Sequence, residues 1–269
     1  MTLVDTIRFP ATFSGVRWSR FGRRWVSPLI LLALWEAGSR AGLIPTRVLA
    51  APSAVAATFW GMVVSGELAA NLAVSFGRVA VGLVVGVVVG AVLALTAGLS
   101  RIGEDAIDPP IQMLRTLPVV ALAPLFIVWF GIDETPKVAL IALAVTFPIY
   151  LNLFSGVRSV DPKLIEAARS FGLHGLDLIR HVILPAALPS FLLGIRFALA
   201  VAVLVLVVAE QINAQAGLGY LINNARDFLR TDIIVVCLVI YALLGLGADG
   251  LVRAVEGRVL AWRPTILRR

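Results

Sequence analysis

Residues 72–99 read LAVSFGRVAVGLVVGVVVGAVLALTAGL, an apolar run interrupted by one charge, Arg78. As a helix rising 1.5 Å per residue it covers about 42 Å, more than the roughly 30 Å hydrocarbon core of a bilayer. A helix on a soluble surface would show a polar stripe, and this one has none. The run therefore reads as a membrane span. Within it Gly82, Gly86, Gly90, Ala94 and Gly98 put a small residue at every fourth position. They form a ridge on which a second helix can lie closely.

Five further runs have the same character: 26–43, 111–130, 138–157, 183–208 and 233–252. Across 269 residues, 59% are hydrophobic and 14% charged, against roughly 45–50% and 25% in soluble domains. The composition excludes a disordered chain and argues against a soluble enzyme. It points to an all-α membrane protein with six transmembrane helices. The first run is continuous only beyond Ser27 and Pro28, and no small-residue cleavage site clearly follows it, so the N-terminus is expected to stay. Cys237 is the lone cysteine; it has no disulfide partner in the chain and no companions for a thiolate metal site.

Positive charge sets the orientation, because cytoplasmic segments retain Lys and Arg. The net charge is +7. Tails at 1–25 and 253–269 carry five arginines each, and the segments 100–110 and 158–182 add Arg101, Arg158, Lys163, Arg169 and Arg180. These fifteen face only Arg40, Arg47, Lys137, Arg226 and Arg230 in the alternate segments. Both termini are thus expected in the cytoplasm. The excess charge has a topological explanation, and no stacked aromatic and basic surface suggests nucleic acid.

Acidic residues are nearly absent from the spans, whereas proton-coupled carriers usually hold them there. Glu36 is the clearest, with Arg40 one turn later, so it is either a structural pair or part of a pathway. Arg78 and Arg115 lie near span ends and are expected to snorkel. Arg196 is deeper; it either meets an anionic cargo or pairs with a group on another helix. Pro118 and Pro124 remove helix hydrogen bonds inside the third run, which suggests a kinked helix lining a pathway.

Residues 158–182 are too patterned for a plain connector. Asp161 before Pro162 is an N-cap followed by Pro at the first helical position. The helix runs to Phe171 and stops at Gly172, which can take the left-handed conformation. A second short helix is expected near 176–181, with Pro185 opening the fifth span. Two short helices with a glycine bend make a compact protrusion suited to a groove on a partner.

Glu166-Ala167-Ala168, three residues, Gly172, nine residues, then Val182-Ile183-Leu184-Pro185 closely resembles the EAA loop of bacterial ABC importer permeases. The family has Ile where this chain has Val182. The resemblance extends over most of the chain. Residues 117–125 (LPVVALAPL), 129–132 (WFGI) and 217–222 (GLGYLI) look like the nitrate, sulfonate and taurine group of permeases, and aliphatic sulfonate permeases most of all. It implies a type I importer fold whose coupling residues are Glu166, Ala167, Ala168, Gly172, Leu184 and Pro185. It also implies a homodimer in a bacterial cell membrane, two separate ATPase subunits and an extracytoplasmic binding protein.

No G-x-x-x-x-G-K-[ST] occurs, so the chain is expected to bind no ATP itself. No catalytic set, cofactor motif or metal-ligand cluster appears; His174 and His181 alone would need further ligands. Two outer stretches remain open: 211–232 is either a short surface helix that meets the binding protein or plain connection, and the amphipathic 46–67 either lies in the membrane interface or is plain connection. The expected role is ATP-driven import of a small organic anion, most simply an aliphatic sulfonate. The alternatives are taurine, nitrate or another small nitrogen or sulfur compound, or an ion-coupled secondary carrier.

Overall fold

The structure, a computed structural model, describes residues 20–212 and 214–260. They form helices α1 (Arg20–Arg40), α2 (Pro52–Val64), α3 (Glu67–Leu99), α4 (Arg101–Leu114), α5 (Ala123–Phe130), α6 (Glu134–Arg158), α7 (Pro162–Ser170), α8 (Gly175–Leu178), α9 (Leu184–Gln211), α10 (Leu218–Asp227) and α11 (Thr231–Val259). A 3-10 turn precedes α5 and a π turn joins α8 to α9. No strand occurs among the described residues.

The central helix is α6, packed between α3 and α9. Glycine explains how closely. A Cβ on Gly82 would lie 2.6 Å from Ile141 Cγ2, on Gly86 2.5 Å from the Ala142 carbonyl oxygen, and on Gly90 2.8 Å from the Thr146 carbonyl oxygen. The ridge at 82–98 is thus the seam against α6. On the opposite side Gly156 faces Ser190, and Gly194 faces the Pro148 carbonyl. Small residues let backbones meet where lipid leaves little hydrophobic drive for association. Around the seam Ile141, Val145, Ala198, Ala202, Leu206, Val236 and Cys237 are buried.

The expected single span at 111–130 is corrected. α4 and the 119–130 segment meet at 88°, with the chain turning at 115–118. Pro118 stands at the start of the 3-10 turn and Pro124 in the first turn of α5, where a missing N–H costs little. The two prolines therefore start new helices rather than kink an old one. Hydropathy sees the run but not its change of direction.

The fifth run differs as well. Instead of a separate helix at 176–181 and a fresh start at Pro185, Gly175–Gln211 is one 37-residue helical stretch. The π turn at Ile179–Ile183 shifts the hydrogen-bond register just before Pro185, so the proline passes without a break. Four helices and the bent pair are long and apolar enough to cross a membrane. α1 ends at Arg40 instead of 43, and its uncharged run between Arg24 and Glu36 is short of a full span.

The segment 46–67 contains helix α2, tied to α11 by the Thr58 hydroxyl donating to Asp232 at 2.7 Å. Within 211–232, α10 is more than a surface helix, since Leu218, Gly219, Leu221 and Ala225 are buried. α11 runs seven residues beyond 252, so the C-terminal tail begins later than expected. Of the tail arginines, Arg8, Arg17, Arg263, Arg268 and Arg269 lie outside the described residues.

Candidate functional site

The loop at 158–182 begins as its sequence suggests. The Asp161 carboxylate accepts from the Lys163 backbone N–H at 2.9 Å and caps α7. Gly172 takes φ +86°, while Leu173 N–H reaches back to the Ala168 carbonyl at 3.1 Å. That closes the helix with a left-handed C-terminal residue, a conformation costly for any side chain with a Cβ. α7 rests on α8 and the π turn.

Glu166, Ala167 and Gly172 are exposed, as are Leu184 and Pro185 at the start of α9. Ala168 instead turns inward at 7% exposure, so its small size serves packing within the loop. Beside Glu166 stand Leu164, Phe171 and Leu176, 49%, 88% and 82% exposed. Three large apolar side chains are thus open together on one compact protrusion. The loop is anchored below by an Arg158–Glu104 ion pair to α4, with Arg158 also over the Phe154 ring at 5.8 Å.

At the opposite end of the bundle lies a charge network that sequence reading missed. Arg78 is not snorkelling; it is 4% exposed. Its Nε and Nη2 donate to both oxygens of Glu134, at 2.5 and 2.7 Å, and its Nη1 donates to Glu210 at 2.6 Å and to the Ala216 carbonyl at 2.8 Å. Glu210 is fully buried. It accepts from the Ser75 hydroxyl at 2.7 Å, Gly219 N–H at 2.9 Å and the Tyr241 hydroxyl at 3.1 Å. Every lone-pair direction is thus used, which buried charge requires.

The network explains the 217–219 glycines. A Cβ on Gly217 would sit 2.5 Å from both Arg78 Nη1 and Glu210 Oε1, and one on Gly219 2.4 Å from Glu210 Cβ. Gly217 also has φ +109°. α10 is therefore seated directly on the ion pair. Glu210 falls two residues beyond the expected span end at 208, which hid it; the signal available was an acidic residue closing a long apolar run.

The remaining residues of interest are separate from both regions. Glu36 does pair with Arg40, Nε to Oε1 at 2.6 Å, and also accepts from Ser53 N–H at 3.0 Å and Oγ at 2.8 Å. It pins α1 to α2. Pro118, at the start of the 3-10 turn, and Pro124, in the first turn of α5, are exposed. Arg196 donates from Nε to Asp249 on α11 at 2.9 Å. Asp249 lies inside the sixth run, so an acidic partner was present in the sequence. No group of three or more His, Cys, Asp or Glu that could hold a metal occurs among the described residues.

Residues 82–261 match the family described as the binding-protein-dependent transport system inner membrane component. The chain is 48% identical over 240 residues to the aliphatic sulfonates transport permease protein SsuC of Escherichia coli (strain K12), covering 89% of this chain and 91% of that one. It is 43% identical over 236 residues to the protein of the same name from Bacillus subtilis (strain 168), covering 88% and 86%. Among solved structures, an amino acid ABC transporter crystallised with histidines superposes with TM-score 0.61 at 21% identity, covering 74% of this chain and 98% of that chain. That likeness concerns the fold.

Proposed function

The chain belongs to the family of binding-protein-dependent transport system inner membrane components, and from that membership we propose that it builds the pathway by which an ATP-driven importer takes up an aliphatic sulfonate. It is a multi-pass subunit of the inner membrane. The observation that carries the cargo is the near full-length identity to two proteins named as aliphatic sulfonate permeases. The exposed Glu166 loop with its open apolar side chains supports the coupling role.

In this reading two copies of the chain line the pathway and the loop at 158–182 lies in the cytoplasm with the C-terminal end of α11. One ATPase subunit docks on each loop, Glu166 offering its carboxylate to a donor while Phe171 and Leu176 enter a groove. An extracytoplasmic binding protein delivers cargo near α10. The chain itself performs no chemistry, and ATP is hydrolysed by the partner.

Growth tests the cargo. A strain lacking the gene is expected to fail on hexanesulfonate as sole sulfur source, to grow on sulfate, and to recover with the intact gene. Normal growth on hexanesulfonate alongside failure on taurine, or on nitrate as nitrogen source, would overturn the sulfonate reading. Docking is tested by Glu166→Lys, which is expected to abolish copurification with the ATPase while leaving the chain in the membrane; unchanged copurification would remove the coupling assignment.

A further inference from the structure

One groove on the molecule combines an apolar wall with an arginine bonded through Nε alone. It runs between α9 and α11 with a volume of about 590 Å³, within the roughly 300–1,000 Å³ of small-molecule sites. Phe197, Ala200 and Leu204 form one wall, and Ala242, Gly245 and Ala248 the other. Arg196 and Asp249 stand at one end. From Arg196 to Leu204 the groove follows α9 for about 12 Å.

The charged end is arranged with excess positive charge. Asp249 accepts Arg196 Nε on Oδ1 at 2.9 Å and Arg253 Nη2 on Oδ2 at 2.5 Å. Two arginines share one carboxylate, leaving one net positive charge. Asp249 holds Arg196 through Nε alone, and neither Arg196 Nη donates to any described residue. The free edge is a planar pair of donors, the geometry that suits an oxyanion.

We propose that this groove is the cargo site, in which Arg196 holds the sulfonate head and the α9–α11 cleft takes the hydrocarbon tail. The inference rests on the sulfonate reading and adds to it the residues that set chain-length preference. Charge complementarity selects the anion, and the apolar walls select the tail. Taurine would bring an ammonium against the apolar walls, where the groove's carboxylate, Asp249, is already shared by Arg196 and Arg253, and nitrate has no tail to bury. Each methylene buried in such a cleft is worth about fourfold in affinity.

Gly245 offers a clean perturbation, because a Cβ there meets nothing within 4 Å. Gly245→Leu puts a side chain into the cleft from a position where its Cβ displaces none of the described atoms. The assay is ATP-driven uptake by the complete transporter in vesicles, using methane-, butane-, hexane- and octanesulfonate. The ratio of variant to wild type at each length cancels the binding protein's own preference. Hexane- and octanesulfonate uptake is expected to fall at least tenfold more than methanesulfonate uptake. Arg196→Gln is expected to lower uptake of all four by at least tenfold, with Arg196→Lys retaining part of it.

Equal loss at every length in Gly245→Leu would overturn the tail site. If that loss reverses when the anionic lipid content of the vesicles is changed, the groove belongs to a lipid. Failure of Gly245→Leu to assemble would assign the groove to a second copy of the chain and likewise overturn the proposal. Wild-type vesicles that take up none of the sulfonates would sink the cargo reading itself, a result distinct from an altered length profile.

Discussion

Alanine at Gly86 and alanine at Gly77 should act in opposite directions although both lie on α3. A Cβ on Gly86 would stand 2.5 Å from the Ala142 carbonyl oxygen and 2.6 Å from Val145 Cβ. Ordinary contact begins near 3.4 Å, so α3 must withdraw from α6 by about 0.9 Å, a gap that forfeits a quarter to a half of each dispersion contact along the seam. Overpacking costs about 1–3 kcal/mol, and the upper end applies because the obstacle is backbone that cannot rotate away. At about 2–4 °C per kcal/mol for a chain of this size, Gly86→Ala should lower Tm by about 6–12 °C. Gly77 meets nothing within 4 Å, so Gly77→Ala gains helix propensity, about 0.5–1 kcal/mol, and should raise Tm by about 1–4 °C. Thermal unfolding of the purified protein in one detergent checks both. Equal Tm values for the two variants would refute the close seam between α3 and α6.

Three other outcomes follow from the packing. Arg78→Met and Glu210→Met should each destabilise by about 3–5 kcal/mol, and the double variant by clearly less than their sum, since removing one partner strands a buried charge; additive Tm losses would contradict the network. Cys237, fully buried, should resist maleimide in the folded protein and react after denaturation, and rapid native labelling would contradict its place in the core. Glu36→Gln should quicken amide exchange over residues 36–56 while changing stability by less than about 1 kcal/mol, as befits a pair at the surface; unchanged exchange would show that α1 is held by other contacts.

What the sequence disclosed was mostly local. The glycine ridge at 82–98 is legible because four-residue spacing puts all its members on one helix face. The cap at Asp161 and the stop at Gly172 are legible for the same reason. Arg78 was not, because its partners Glu134 and Glu210 lie 56 and 132 residues away. Nothing nearby indicates that an arginine so close to a span end turns inward. Arg196 was half legible: its depth posed the question of a partner, and Asp249 on another helix answers it. The third run failed differently, since its prolines act as helix starts, and a hydropathy count treats a corner and a straight line alike.

The unbroken stretch Gly175–Gln211 makes a lever. About 55 Å of stiff rod links the exposed loop, where α8 begins, to the buried carboxylate of Glu210. A tilt of about 5° about the loop end carries the far end through about 5 Å, far more than the hydrogen bonds around Arg78 tolerate. A push delivered at one side of the membrane therefore arrives at the other as a choice between keeping that ion pair and breaking it. The π turn, by letting Pro185 pass without a break, removes the joint at which such a push would otherwise be absorbed.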